Sequence, residues 1–159
     1  MKRRGPQSGN EWFDRAVRYL ARFDRTAAQV ERFLTSKGAS STQIKQVVSR
    51  LSALRYLDDR AYATRWVETS MARRPIGREG LKSELLRRGL SEALADEVIG
   101  EALQNVDEET LARRALQLQR HHGRRFGPRQ MASFLRQRGF AEETIEGIIS
   151  ARTTGGRES

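Results

Sequence analysis

The side chains best placed for chemistry are arginines in matching pairs, Arg73–Arg74 and Arg124–Arg125, each a few residues ahead of a glycine, Gly77 and Gly127. A guanidinium offers five donors in a rigid plane that meets phosphate or carboxylate oxygens two at a time. Beside the N–H groups of a starting helix, such a pair suits an anion. Arg78, Lys82, Arg87, Arg88 and Arg129 extend the two clusters along the segments that follow. These nine residues form the candidate contact set, and their chemistry is recognition of a polyanion.

Bond-making chemistry finds no matching constellation. His121 and His122 are adjacent, so on a helix they point to different faces, and no carboxylate stands four residues on to complete a ligand set. Asp58–Asp59 reads more simply as a helix start than as a metal pair. The chain has no Gly-rich phosphate loop, no dinucleotide fingerprint and no nucleophile elbow. Zero cysteines exclude disulfides and thiol catalysis and agree with a reducing compartment. No catalytic, cofactor-binding or metal site is expected.

The elements that carry the arginines are written three times. Gly38, Gly89 and Gly139 each close a similar stretch, Val30…Phe33-Leu34…Lys37, Leu81…Glu84-Leu85…Arg88 and Met131…Phe134-Leu135…Arg138, at intervals of 51 and 50 residues. Apolar residues recur at helical spacing after each glycine: Ile44-Val47-Val48, Ala95-Val98-Ile99 and Ile145-Ile148-Ile149. Paired apolar positions precede each one, as in Trp12-Phe13, Ala16-Val17 and Leu20, or Tyr62-Ala63 and Trp66-Val67. Capping residues mark the starts: Asn10, Asp58 or Asp59, and Asp107 for the first helices; Thr26, Gly77 and Gly127 for the second; Ser40, Ser91 and Ala141 for the third. Gly80 falls inside the second helix of the middle repeat, where it lowers helix propensity. Nine helices and no sheet are predicted, in repeats spanning 10–54, 55–105 and 106–152, with polar mobile tails at 1–9 and 153–159. Repeats of this size bury little alone, so neighbours must share the work in an elongated or curved array. Trp12, Trp66, Tyr62, Phe33 and Phe134 fall on apolar stripes and read as core; Phe126 and Tyr56 lie in links, open to contact.

Charge is segregated along the chain. Residues 91–109 hold seven acids and no base, residues 110–140 hold eight arginines and no acid, and the whole carries +10 with a pI near 11.0. That balance favours nucleic acid or an acidic protein surface. Mean hydropathy is −0.71 and no apolar run reaches membrane-spanning length. The basic start lacks the apolar segment of a secretory signal, so a cytoplasmic protein is expected.

Tyr56-Leu57-Asp58-Asp59-x-x-Tyr62-Ala63, followed by Gly77-x-x-x-Leu81-x-x-Glu84-Leu85-x-x-Arg88-Gly89-Leu90, resembles the central signature of the RecX family, regulators of the RecA recombinase. The likeness spans about residues 12–150. It implies an all-helical array that binds the RecA–DNA filament in its groove or at its end, with little preference for DNA sequence. It further implies that the array restrains ATP hydrolysis, strand exchange or filament growth; separately, a monomer is expected. No catalysis is implied. Two other readings stay open. A helix-turn-helix DNA-binding module fits the helix–Gly–helix around Gly89, although the helix after it is acidic (Glu92, Asp96, Glu97, Glu101) where a DNA reader would be basic. A helical scaffold for another acidic partner is the third.

Overall fold

A computed structural model describes residues 9–155, and among them it contains nine helices and no strand. They are α1 (Gly9–Leu20), α2 (Ala27–Ser36), α3 (Ser41–Ala53), α4 (Asp59–Arg73), α5 (Arg78–Arg87), α6 (Glu92–Ala102), α7 (Glu108–His121), α8 (Pro128–Gln137) and α9 (Glu142–Gly155). They pack in threes, since the dominant helix–helix contacts all fall within α1–α3, α4–α6 or α7–α9. The chain is an all-α tandem array.

Local chemistry places the ends. Thr26 with Gln29 and Ser40 with Gln43 each form reciprocal capping boxes, and Asp58, Ser91 and Asp107 accept from the backbone three residues on. Gly38, Gly89 and Gly139 adopt left-handed φ of 99°, 84° and 75° just past α2, α5 and α8, the conformation glycine takes without a Cβ penalty. Expectations change at both ends. α1 begins at Gly9, the last residue of the stretch assigned to a tail, so Asn10 sits inside its first turn instead of capping it, and the Asn10 side-chain oxygen accepts from Arg50. At the other end α9 runs to Gly155, three residues into the stretch assigned to a tail; expectations for residues 1–8 and 156–159 lie outside the described residues.

The apolar stripes make two cores. Trp12, Ala16, Val30, Leu34, Val47, Leu51 and Leu57 close the first triplet on itself. Leu81, Leu85, Val98, Ile99, Leu111, Leu135, Ile145 and their neighbours form one continuous core through the second and third triplets. Trp66, Tyr62 and Phe134 pack half-buried against it, as does Phe126, while Tyr56 is exposed.

Successive triplets meet through the same joint, built twice. At the first, the buried Thr26 hydroxyl donates to the Arg88 carbonyl at 2.7 Å and the Ala27 N–H donates to the Asp59 carboxylate at 2.9 Å. At the second, the Gly77 N–H donates to the Arg138 carbonyl at 2.9 Å and the Arg78 N–H to the Glu108 carboxylate at 3.0 Å. Each joint therefore seats the start of one second helix on the end of the next, and adds a carboxylate from the following triplet to the orphan N–H groups. Backbones approach closely here: a Cβ on Gly80 would stand 2.6 Å from the Arg138 carbonyl oxygen, and one on Gly77 would overlap that of Gly139. That approach explains Gly80, and α5 is a regular helix through it. Among the described residues no further triplet meets the start of α8, which closes on itself with Pro128 at the first helical position and Gln130 accepting from the Gly127 N–H at 3.0 Å.

Candidate anion-binding interface

The nine candidate cations divide by what they touch. Lys82 donates to Glu92 at 2.8 Å and also reaches Asp96, and those two carboxylates, Glu92 foremost, raise its pKa. Arg87 and Arg88 both pair with Glu84, at 3.0 and 2.7 Å, while Arg88 lies 4.6 Å over the Trp66 ring. The hydrogen bond from Arg88, with the charges of Arg87, Arg88 and Arg74 behind it, holds the Glu84 carboxyl below its ordinary value against an opposing push from burial. Arg73, Arg74, Arg78, Arg124, Arg125 and Arg129 are exposed, and none has an ion-pair partner among the described residues.

The acidic stretch explains that division. Glu97 and Glu101 hold Arg60, Glu92 and Asp96 hold Lys82, Glu109 holds Arg113, and Glu108 caps α5 while accepting from Thr144 at 2.7 Å. Five acids of this block thus pair with cations inside the fold, and one seals a joint. The expected convergence of arginines and free helix-start N–H groups consequently fails at α5. Its first N–H groups already serve the Arg138 carbonyl and the Glu108 carboxylate. At α8 the matching pair, Arg124 and Arg125, stands by a start whose Gly127 N–H is held by Gln130 of the same helix.

Among the concavities that gather guanidinium groups, two bear most directly on the candidates. On the third triplet, a depression of about 590 Å³ is lined by Arg120, Gly123, Arg125, Phe126 and Arg152, with no acid in its lining. Arg124 faces an adjoining hollow that shares Arg120, Phe126 and Arg152. Arg152 is anchored by donating to the Phe126 carbonyl at 3.0 Å, and Phe126 packs against Phe134 with centroids 5.4 Å apart. A second cleft, also about 590 Å³, lies where the middle and third triplets meet and brings Arg74, Arg87 and Arg88 together with Arg138. Arg138 lies 4.6 Å over the Phe134 ring, and burial first, then the Arg74 charge, pull its pKa down. Arg73, Arg78 and Arg129 line neither concavity.

Arg120, Arg138 and Arg152 are absent from the nine candidates. Arg120 and Arg138 belong to the acid-free arginine block, which is a visible signal, but only the fold shows that they face concavities. Arg152 stands at the end of a helix, and nothing in its neighbours sets it apart.

The described residues hold no group of acidic, histidine or cysteine side chains able to bind a metal, and no helix among them is long and apolar enough to cross a membrane. Against known families, residues 13–51 match the model for the first three-helix domain of RecX and residues 58–99 that for the second. The regulatory protein RecX of Treponema pallidum is 33% identical over 140 residues, covering 88% of this chain and 84% of that protein. Its counterpart from Thermus thermophilus is 36% identical over 132 residues, covering 83% and 85%. The crystal structure of RecX from Lactobacillus salivarius superposes with a TM-score of 0.72 at 22% identity, over 90% of this chain and 95% of that one. At that identity the superposition shows a shared fold.

Proposed function

This chain belongs to the RecX family, and from that premise we propose that it regulates the RecA recombinase by binding the RecA–DNA filament as a non-catalytic cytoplasmic monomer. On this reading it restrains ATP hydrolysis, strand exchange or filament growth. One observation carries the binding mode: among the described residues, six exposed guanidinium groups of the candidate set stand without an ion-pair partner while the acidic block is engaged internally. A fold that pairs so many of its charges and leaves these free presents them to an outside anion. Phosphate contacts are individually weak and salt-dependent, and a set of them gives nonspecific binding with Kd on the order of 10⁻⁴ to 10⁻⁶ M at physiological salt. Several contacts on neighbouring protomers of a polymer multiply through effective concentration.

The helix-turn-helix reading loses support. Its recognition helix would be α6, whose exposed Glu92, Asp96, Glu97 and Glu101 clamp Lys82 and Arg60. Fluorescence anisotropy separates these readings. The labelled protein is titrated with random duplex, single-stranded DNA and preformed RecA filament at several salt concentrations. Tighter binding to filament than to bare DNA, with no preferred sequence, is the expected result. Equal binding to all three, or selection of one duplex sequence, removes the filament reading.

A further inference from the structure

The two concavities differ in chemistry. The depression on the third triplet presents Arg120, Arg125 and Arg152 without a single acid. The cleft between triplets mixes its arginines with Glu79 and Glu84 and adds the apolar surfaces of Trp66 and Ile76. A nucleic-acid strand entering the second cleft would bring a run of closely spaced phosphates to a lining that includes the carboxylates of Glu79 and Glu84. An acidic peptide carries isolated charges between neutral or apolar neighbours and escapes that repulsion.

We propose that the cleft bounded by α4, α5 and the end of α8 is a docking groove for an acidic peptide segment of a protein partner, one carboxylate of which sits between Arg74 and Arg138. The proposal rests on the filament-binding reading and assigns this groove to the protein component of the complex. Arg74 and Arg138 come from different triplets, and neither has an ion-pair partner among the described residues. Of the two acids in the lining, Glu84 already holds Arg87 and Arg88. A carboxylate between the two like charges replaces their repulsion with charge-assisted hydrogen bonds. A position 4.6 Å over the Phe134 ring holds the Arg138 guanidinium in place beforehand, which lowers the ordering cost of binding. Trp66 and Ile76 offer apolar area to the side chains that flank the acid, and a volume of about 590 Å³ accommodates several of them.

The test titrates the full chain with a capped Ala-Glu-Leu-Glu-Ala peptide, its Gln-for-Glu twin, and oligothymidylate, following the arginine Nε–H resonances. The acidic peptide should shift Arg74 and Arg138, and the twin should shift neither. Arg138→Gln and Arg74→Gln should each weaken the peptide about tenfold, the scale of one charged hydrogen bond, while Arg138→Gln, which lies outside the candidate phosphate contacts, should change oligothymidylate affinity less than about threefold. Arg138→Lys, which keeps the charge without the fork, should fall between. Circular dichroism melts check folding, and Arg74→Gln, at an exposed helix end, carries the test if Arg138→Gln proves unstable. An unshifted Arg138 at millimolar peptide overturns the proposal. So does equal weakening of peptide and oligothymidylate, which would make the groove a phosphate subsite. If the peptide titration is silent while the protein still restrains RecA ATP hydrolysis, the groove assignment alone falls; if restraint is absent, the filament reading falls whatever the peptide does.

Discussion

Glu84 shows how single residues set conditions for the cationic groove. Because Arg88, Arg87 and Arg74 favour its ionised form, it takes up a proton less readily in the folded chain than in the unfolded one. Its stabilising contribution is therefore complete above the unfolded pKa of about 4.3 and is lost as pH falls through the lower folded value. Melting temperature should hold from neutral pH down to about 5 and decline below about 4, with Glu84→Gln showing a shallower decline in circular dichroism melts. Equal slopes for the two proteins would place the acid sensitivity elsewhere. Glycine gives a sharper contrast of sign. Gly100 in α6 has open space where a methyl would go, so Gly100→Ala should gain up to about 1 kcal/mol of helix propensity. Gly80→Ala adds the same methyl against the Arg138 carbonyl and should instead lose roughly 1–3 kcal/mol, both read by urea denaturation. In the sequence Gly80 looked like a flaw in a helix; its reason is a backbone fifty-eight positions away, beyond the reach of local propensity.

At the scale of helices, periodicity and caps were legible because both are local. The positions of Thr26, Asp58, Ser91, Asp107, Gly127 and Pro128 announce helix starts through their own side chains or φ. What joins helices across triplets was not. Asp58 and Asp59 read alike as capping residues, yet Asp58 serves its own helix α4 and Asp59 serves α2 in the preceding triplet. The same position one repeat later, Glu108, seals α5. The first joint links two separate cores and leans on these polar contacts and the exposed Arg65–Asp24 pair, whereas the second lies over a continuous core. Thr26→Val removes a buried hydroxyl that serves both the cap and the Arg88 carbonyl, and should cost about 1–3 kcal/mol. Hydrogen exchange should show amides of α1–α3 losing protection ahead of those in α4–α9. Uniform loss across all nine helices would show that the triplets open as one unit.

Over the whole molecule, positive charge exceeds negative by ten, and the fold decides which cations remain available. Composition raised the expectation of a polyanion partner, but it ranked Lys82 with Arg124; only the packing of the acidic α6 beside α5 shows Lys82 to be engaged, while Arg124 has no ion-pair partner among the described residues. An array of repeats that meets a polymer at several points needs no single strong contact, which fits a surface of dispersed guanidinium groups with no reactive cluster. The most direct measurement is the rate of ATP hydrolysis by RecA on single-stranded DNA with this protein added at less than one copy per RecA. It is made for the native chain and for the variant carrying Arg73→Glu, Arg74→Glu, Arg124→Glu and Arg125→Glu. The native chain should depress the rate, and the variant, with helix content unchanged, should depress it at least about tenfold less potently because four attractive contacts have become repulsive. An unaltered rate with the native chain at every ratio, or equal potency of the two proteins, would contradict the account.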